Sequence, residues 1–150
     1  ELTAQSLTVT ITEALAVDHA NGSTNDIDFA QTYTHTYGSI ANVSKRIVKL
    51  ANTNLTEVAT FGSTTADGAF VRADVRYIRV TNLDSSDALQ VGLDDEASDA
   101  GYTSVAADSS IIYTGTTVEG DNGGSTLDNA TALKVKGSSN QQLEVFIASV

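Results

Sequence analysis

The sequence predicts an all-β fold, a single-domain antiparallel β-sandwich that is jelly-roll-like, and three observations carry that expectation. Thr and Val together fill 34 of the 150 positions and Ile adds eight; side chains branched at Cβ suit a pleated, half-buried surface and lose rotamer freedom in a helix. Apolar and polar residues alternate with period two over several stretches, the pattern of a strand with one buried face. Clusters of Gly, Asn, Asp and Ser recur between those stretches, so the chain divides into eight to ten short strands, which points to a sandwich or jelly roll rather than a parallel sheet. One domain spanning residues 1–150 accounts for the length, with room for a flexible arm over residues 1–5. A domain of this size buries roughly 70% of the surface of its unfolded chain, enough to hold together without disulfides or metal.

Taken in order, Gln5–Ala16 places Leu7, Val9 and Ile11 on one face and Thr8, Thr10 and Thr12 on the other, a strand with one buried face. His19–Asp28 is polar, with Asn21-Gly22 and Asn25-Asp26 as turn formers. Phe29–Tyr37 alternates again: Phe29, Gln31, Tyr33, His35 and Tyr37 share one face, and Ala30, Thr32, Thr34 and Thr36 the other. Ser44–Ala51 is short and flanked by Asn and Thr, which favours a strand over a turn of helix. Leu55–Phe61 is a further strand, followed by a Gly-Ser-Thr loop ending at Asp67-Gly68. Phe70–Asn82 is the longest signal and is expected to be one central strand; its apolar face switches near Arg76, the mark of a bulge or a change of neighbours. Asn82–Asp87 reads as a turn, with Ala88–Leu93 returning to complete a hairpin. An acidic loop, Asp94–Gly101, leads to short strands at Tyr102–Val105 and Ile111–Tyr113. Thr116–Asp128, with Gly120, Gly123 and Gly124, reads as a long loop, and Ala132–Lys136 and Leu143–Ala148 close the domain.

Little of this composition suits catalysis, and the chain is not expected to be an enzyme. Without Cys there are no disulfides, thiolate nucleophiles or zinc-thiolate sites. His19 and His35 are the two histidines, and the nucleophile pattern G-x-S-x-G does not occur. No metal or organic cofactor is expected, since a tight zinc or iron site lacks ligands. Asp94, Asp95, Glu96 and Asp99, and then Glu119, Asp121 and Asp128, form two acidic groups. Neither has the D-x-D-x-D-G spacing of a helix-loop-helix calcium site, so both read as exposed loops, with loop calcium the alternative. The stripe of Phe29, Tyr33, His35 and Tyr37 reads as core or as a contact between subunits; with no Trp to stack on sugars, a glycan platform is the lesser reading.

The net charge of −11 is unevenly placed. Residues 1–44 contain no Lys or Arg, and Val80–Leu133 contains ten acids and no base. Six of the eight cations, Lys45, Arg46, Lys49, Arg72, Arg76 and Arg79, fall in one stretch and form the candidate partner-binding set. If their two strands are neighbours, they gather on one patch that meets an acidic partner. The competing expectation is that Arg76 and Arg79 pair internally with Asp74, Asp84 or Asp87. Nucleic acid is not an expected partner, because its binders need a basic face. Nor is a membrane: no apolar run approaches the roughly 18 residues of a spanning helix, no signal peptide opens the chain, and a soluble protein is expected. Glu1 stands where a natural chain would begin with Met, so an initiator Met or a longer leader is expected before it.

The second half resembles a group of small virion structural proteins of tailed phages, notably marine ones. The resemblance rests on VRYIRVTNLDSSDALQVGL (Val75–Leu93), an Ala/Asp/Ser-rich stretch ending in SSIIYTG (Ser109–Gly115), and the terminal LEVFIAS (Leu143–Ser149). It covers about the last 75 residues. What it implies is a capsid decoration or cement protein, a homo-oligomer bound to the major capsid protein or another virion protein and assembled in the host cytoplasm. A tail or connector component is the near alternative. A host-recognition or glycan-binding module of a fibre is the reading from a different class.

Overall fold

The structure, a computed structural model, describes residues 5–17, 27–64, 69–95, 101–114 and 130–150. It is built of β-sheets whose described strand pairs are antiparallel with one exception, as the alternation and the β-branched content predict. Contacts along the chain divide it into two compact units, Glu1–Ile40 and Ala41–Val150. The expected sandwich over all 150 residues is thus found within the second unit, and residues 1–40 form a unit of their own. The expected arm over residues 1–5 lies, apart from Gln5, outside the described residues.

The first unit is a two-stranded antiparallel sheet of β1 (Gln5–Val17) and β2 (Ile27–Ile40). Its register sets Leu7 against Tyr37, Val9 against His35, Ile11 against Tyr33 and Leu15 against Phe29. The alternate pairs are Thr8–Thr36, Thr10–Thr34 and Thr12–Thr32, whose hydroxyls lie 3.1, 3.3 and 3.4 Å apart. Both strands and both faces follow the sequence pattern. The apolar face, however, is not a core: Ile11, Leu15 and Tyr33 are 42%, 57% and 55% exposed. Two strands make one layer, and this unit has no second layer of its own to cover the face. The turn formers between Asp18 and Asp26 lie outside the described residues.

The second unit is the sandwich. One sheet has the order β5-β4-β10-β7-β8 and the other β3-β11-β6-β9. Their ranges are β3 Asn42–Lys49, β4 Thr56–Gly62, β5 Ala69–Val71, β6 Val75–Asn82, β7 Leu89–Asp95, β8 Thr103–Val105, β9 Ser110–Thr114, β10 Ala130–Lys136 and β11 Gln142–Ser149. Inward residues of the two sheets form one core that includes Phe61, Ile78, Val80, Leu89, Val91, Leu133, Val135, Leu143, Val145 and Ile147. β11 shows how the pattern works: Leu143, Val145 and Ile147 are buried, while Glu144 and Phe146 point to the outer face and stay partly open.

Two expectations need correction. Phe70–Asn82 is not one strand: Phe70 and Val71 belong to β5, parallel to β4 at the edge of one sheet, and Val75–Asn82 is internal to the other. A 3-10 turn at Arg72–Asp74 carries the chain between sheets. Arg76 Nη1 donates to the carbonyls of Ala73 and Val75 at 2.7 and 3.3 Å, satisfying groups the ladder releases there. The switch of face at Arg76 is a bulge, since β11 pairs Ala148 with Tyr77 and Ser149 with Val75. Likewise β6 and β7 are not a hairpin but lie in opposite sheets.

The cause of that second crossing is Asn82, which is fully buried. Its Nδ2 donates to Asp87 O at 2.7 Å and Ala106 O at 3.1 Å, and its Oδ1 accepts from Asp84 N at 3.1 Å and Gln141 Nε2 at 3.0 Å. One amide thereby ties together three loops and replaces the ladder bonds of a tight hairpin. Gln141 completes the knot by accepting from Ser138 N at 2.8 Å, and Gly137 leaves room for its amide, since a Cβ there would press on Gln141 Oε1 and displace it.

Candidate attachment surface

The outer face of the sheet β3-β11-β6-β9 carries three of the six candidate cations, Lys45, Lys49 and Arg79. β3 is an edge strand, and alternation puts Val43, Lys45, Ile47 and Lys49 on the face it shares with Gln142, Glu144, Phe146 and Ala148 of β11. Val43 and Ile47 are 57% and 63% exposed. The result is an edge on which exposed apolar side chains alternate with lysines.

Glu144 organises the centre of this face. Arg79 of β6 and Lys45 of β3 each stand diagonally across from it. Arg79 Nη2 donates to Glu144 Oε1 at 2.5 Å, and Lys45 Nζ lies 3.2 Å from Oε2. Desolvation by itself would raise the Glu144 carboxyl, but hydrogen bonds and charge from Arg79 and Lys45 outweigh it and hold the group below the ordinary glutamate range. The Arg79 guanidinium also lies over the Phe146 ring, 5.7 Å from its centroid, and Tyr77 meets that ring edge-on at 5.8 Å. Arg79 and Glu144 belong to two of the sequence segments that carry the resemblance, so those segments are neighbours in space.

The six cations are not brought together as one patch. β11 stands between β3 and β6, so their strands are not adjacent. Lys45 and Arg79 are paired to Glu144, Arg76 is held by backbone carbonyls at the bulge, and Arg72 sits half-buried in the 3-10 turn. Arg46 and Lys49 are exposed and form no ion pair among the described residues. The internal partner of Arg79 is Glu144 rather than Asp74, Asp84 or Asp87. Asp84 is instead a turn acceptor: its Oδ1 takes the N–H groups of Asp87 and Ser86, both at 2.9 Å, and these bonds lower its pKa.

The missed residues of this surface are Glu144, Val43 and Ile47. The period-two run Val43-x-Lys45-x-Ile47-x-Lys49 was a readable signal for a mixed apolar and basic face; the position of Glu144 was not readable without the strand order. Of the acidic groups, Asp94 is ion-paired to Lys134, whose pKa its carboxylate raises. The side chain of Asp95, and Glu96, Asp99, Glu119, Asp121 and Asp128, lie outside the described residues, as does His19. His35 is exposed on β2, its ring 4.4 Å from that of Tyr37. Among the described residues no three His, Asp or Glu side chains gather as a metal site.

Comparison of the chain with protein-family models, with curated proteins and with solved structures finds no match in any of the three.

Proposed function

We propose that this chain is a structural protein of a phage virion, a decoration protein that seats on the outside of the head and reinforces it through the major capsid protein or a neighbouring virion protein. The observation that carries this reading is the β3 edge, where Val43 and Ile47 stand exposed between Lys45 and Lys49. Such a strip offers apolar area for adhesion and charge for orientation, and suits an acidic protein surface. The resemblance of residues 75–150 supports it. So does the strand order β3-β11-β6-β9 facing β4-β10-β7-β8, with β5 as an added edge, which is the order expected of a jelly roll. Jelly rolls serve in capsids and in lectins, so the fold alone does not choose between them. In this reading the chain works as a homo-oligomer, with no catalytic role and no cofactor.

The test is co-sedimentation of the purified chain with mature phage heads from which decoration proteins have been stripped. Binding at 0.1 M salt that weakens at 1 M, where the Debye length falls from about 10 to about 3 Å, is expected. Replacing Lys45, Arg46 and Lys49 together by Gln loosens it with the melting temperature nearly unchanged. Absence of binding to heads at any salt would overturn the reading. A second reading, a host-recognition or glycan-binding module, draws on Tyr33, which is 55% exposed on the same face as Tyr37; glycan-array binding lost on Tyr33→Ala would favour it.

A further inference from the structure

We infer that the apolar face of the β1–β2 hairpin is a self-association surface, covered by the same face of other copies of this chain. The inference stands on the hairpin itself and not on a role in the virion. Leu7, Val9, Ile11, Leu15, Tyr33 and Tyr37 share that face by register, and of the hairpin residues whose side chains are described, Ile40 alone is buried. A two-stranded sheet is at best marginally stable in water, so a strand pair of this length requires cover for its apolar side.

Charge identifies the cover. The chain carries −11 overall, which opposes self-association, but β1 and β2 hold one acid each, Glu13 and Asp28, and no Lys or Arg; Glu13 and His35 lie in register on the apolar face. Identical copies therefore meet at this face with little repulsion. An acidic partner would find no Lys or Arg here to select it, and a basic one would find a single carboxylate, Glu13. The contrast with β3 is informative: that exposed edge carries Lys45, Arg46 and Lys49, the guard that keeps edges of identical copies apart, and the hairpin face has no lysine or arginine. The opposite face is the Thr ladder, which water solvates well. One apolar and one polar face give a closed two-layer contact rather than an open stack.

Size sets the strength. Thirteen residues at about 3.4 Å each, two strands wide, give a footprint of roughly 400 Å² per copy. Two copies then cover about 800 Å² in total, below the roughly 1,200 Å² of standard specific interfaces, so a simple pair associates weakly, with a Kd no tighter than micromolar, and a ring in which each hairpin meets two neighbours uses the face more fully.

Sedimentation equilibrium of the full chain from about 1 to 200 μM tests this, since micromolar affinity falls inside that window. The expected result is a concentration-dependent oligomer. The double variant Ile11→Lys/Tyr33→Lys should weaken it by about two orders of magnitude. Thr10→Lys/Thr34→Lys, on the opposite face, should leave it in place and controls for damage to the hairpin. A second readout is hydrogen exchange of β1 and β2 amides, which should slow with protein concentration in the wild type and not in the apolar-face variant. A monomer throughout the range, or an oligomer unmoved by the apolar-face variant, overturns the inference. Binding of wild type and variant to heads separates the two readings: a chain that self-associates but ignores heads supports this surface and sinks the virion role, and a strict monomer that binds heads does the reverse.

Discussion

Ile147 on β11 is fully buried, whereas Ile11 on β1 leaves 42% of its surface in water, although each sits in an alternating strand beside apolar partners across the ladder. The strands differ little; their surroundings differ entirely. β11 is internal to a four-stranded sheet that faces a five-stranded one, and β1 belongs to a sheet of two. Period two selects which side chains share a face. Whether that face becomes a core depends on a second layer, which only the topology supplies. In the sandwich the second layer is part of the same chain; at the hairpin we assign it to another copy.

The largest effect should separate the units. Ile147→Ala or Leu133→Ala, each at a site with no exposure, should lower sandwich stability by about 2–5 kcal/mol through lost transfer energy and the cavity left behind. Ile11→Ala at low protein concentration should move the sandwich midpoint by less than about 1 kcal/mol, because little of its burial is lost. Urea titration followed by tyrosine fluorescence gives both numbers. Equal effects would mean that the two faces belong to one core after all.

Next in size is Asn82→Ala. It removes the acceptor of Asp84 N–H and one of the two acceptors of the Gln141 amide, and takes a donor from Asp87 O and Ala106 O, which keep Gln141 Nε2 and Ser109 N, at a cost of about 1–3 kcal/mol. Gln31→Ala, on the exposed hairpin, removes a polar amide of similar size and should register at under about 0.5 kcal/mol. If Asn82→Ala were equally mild, water would be replacing the amide and the corner between β6 and β7 would not depend on it.

These two cases also mark how far the sequence reached. Strand positions were legible because alternation is local, and β1, β2, β3, β7, β10 and β11 fall within a few residues of where the pattern puts them. The bulge at Arg76 was legible for the same reason. What failed was pairing across distance. Asn82-Leu83-Asp84 has the composition of a turn, and turn composition does not say whether the chain returns beside its own strand or crosses to the facing sheet. The cation set suffered likewise: Lys45 and Arg79 were read as members of one patch facing a partner, yet Glu144, 65 positions beyond Arg79, joins them, and no local signal reports that.

A smaller difference is electrostatic. The sandwich places Glu144 between two cations, and the hairpin places Glu13 opposite neutral Gln31. The folded-state pKa of Glu144 is lowered from 4.5. Its pairing therefore adds stability that is present above that value and is lost as pH falls through the lower folded value. Urea midpoints measured between pH 6 and pH 3 should fall on the acid side, and Glu144→Gln should flatten that fall while lowering stability at pH 6. Lys45 is 60% exposed, so salt screens its share and most of the effect should trace to Arg79. Identical acid slopes in the two proteins would show that this pair contributes nothing.

The smallest effect is expected from the Thr ladder, and it decides what holds the hairpin. Thr10→Val keeps the branched shape that suits a strand and deletes one hydroxyl of the 3.3 Å contact with Thr34. The partner hydroxyl is exposed and bonds to water instead, so the change should stay within about 0.5 kcal/mol. Hydrogen exchange of the β1 and β2 amides at fixed concentration measures it. The comparison is with Ile11→Val at the neighbouring position on the other face, which removes one methylene from the surface we assign to the second copy. If the oligomer forms, Ile11→Val should speed exchange more than Thr10→Val, by about 0.5–1.5 kcal/mol in opening free energy when the site is covered. The reverse order would mean that the hydroxyl ladder holds the strands together and the apolar face needs no cover.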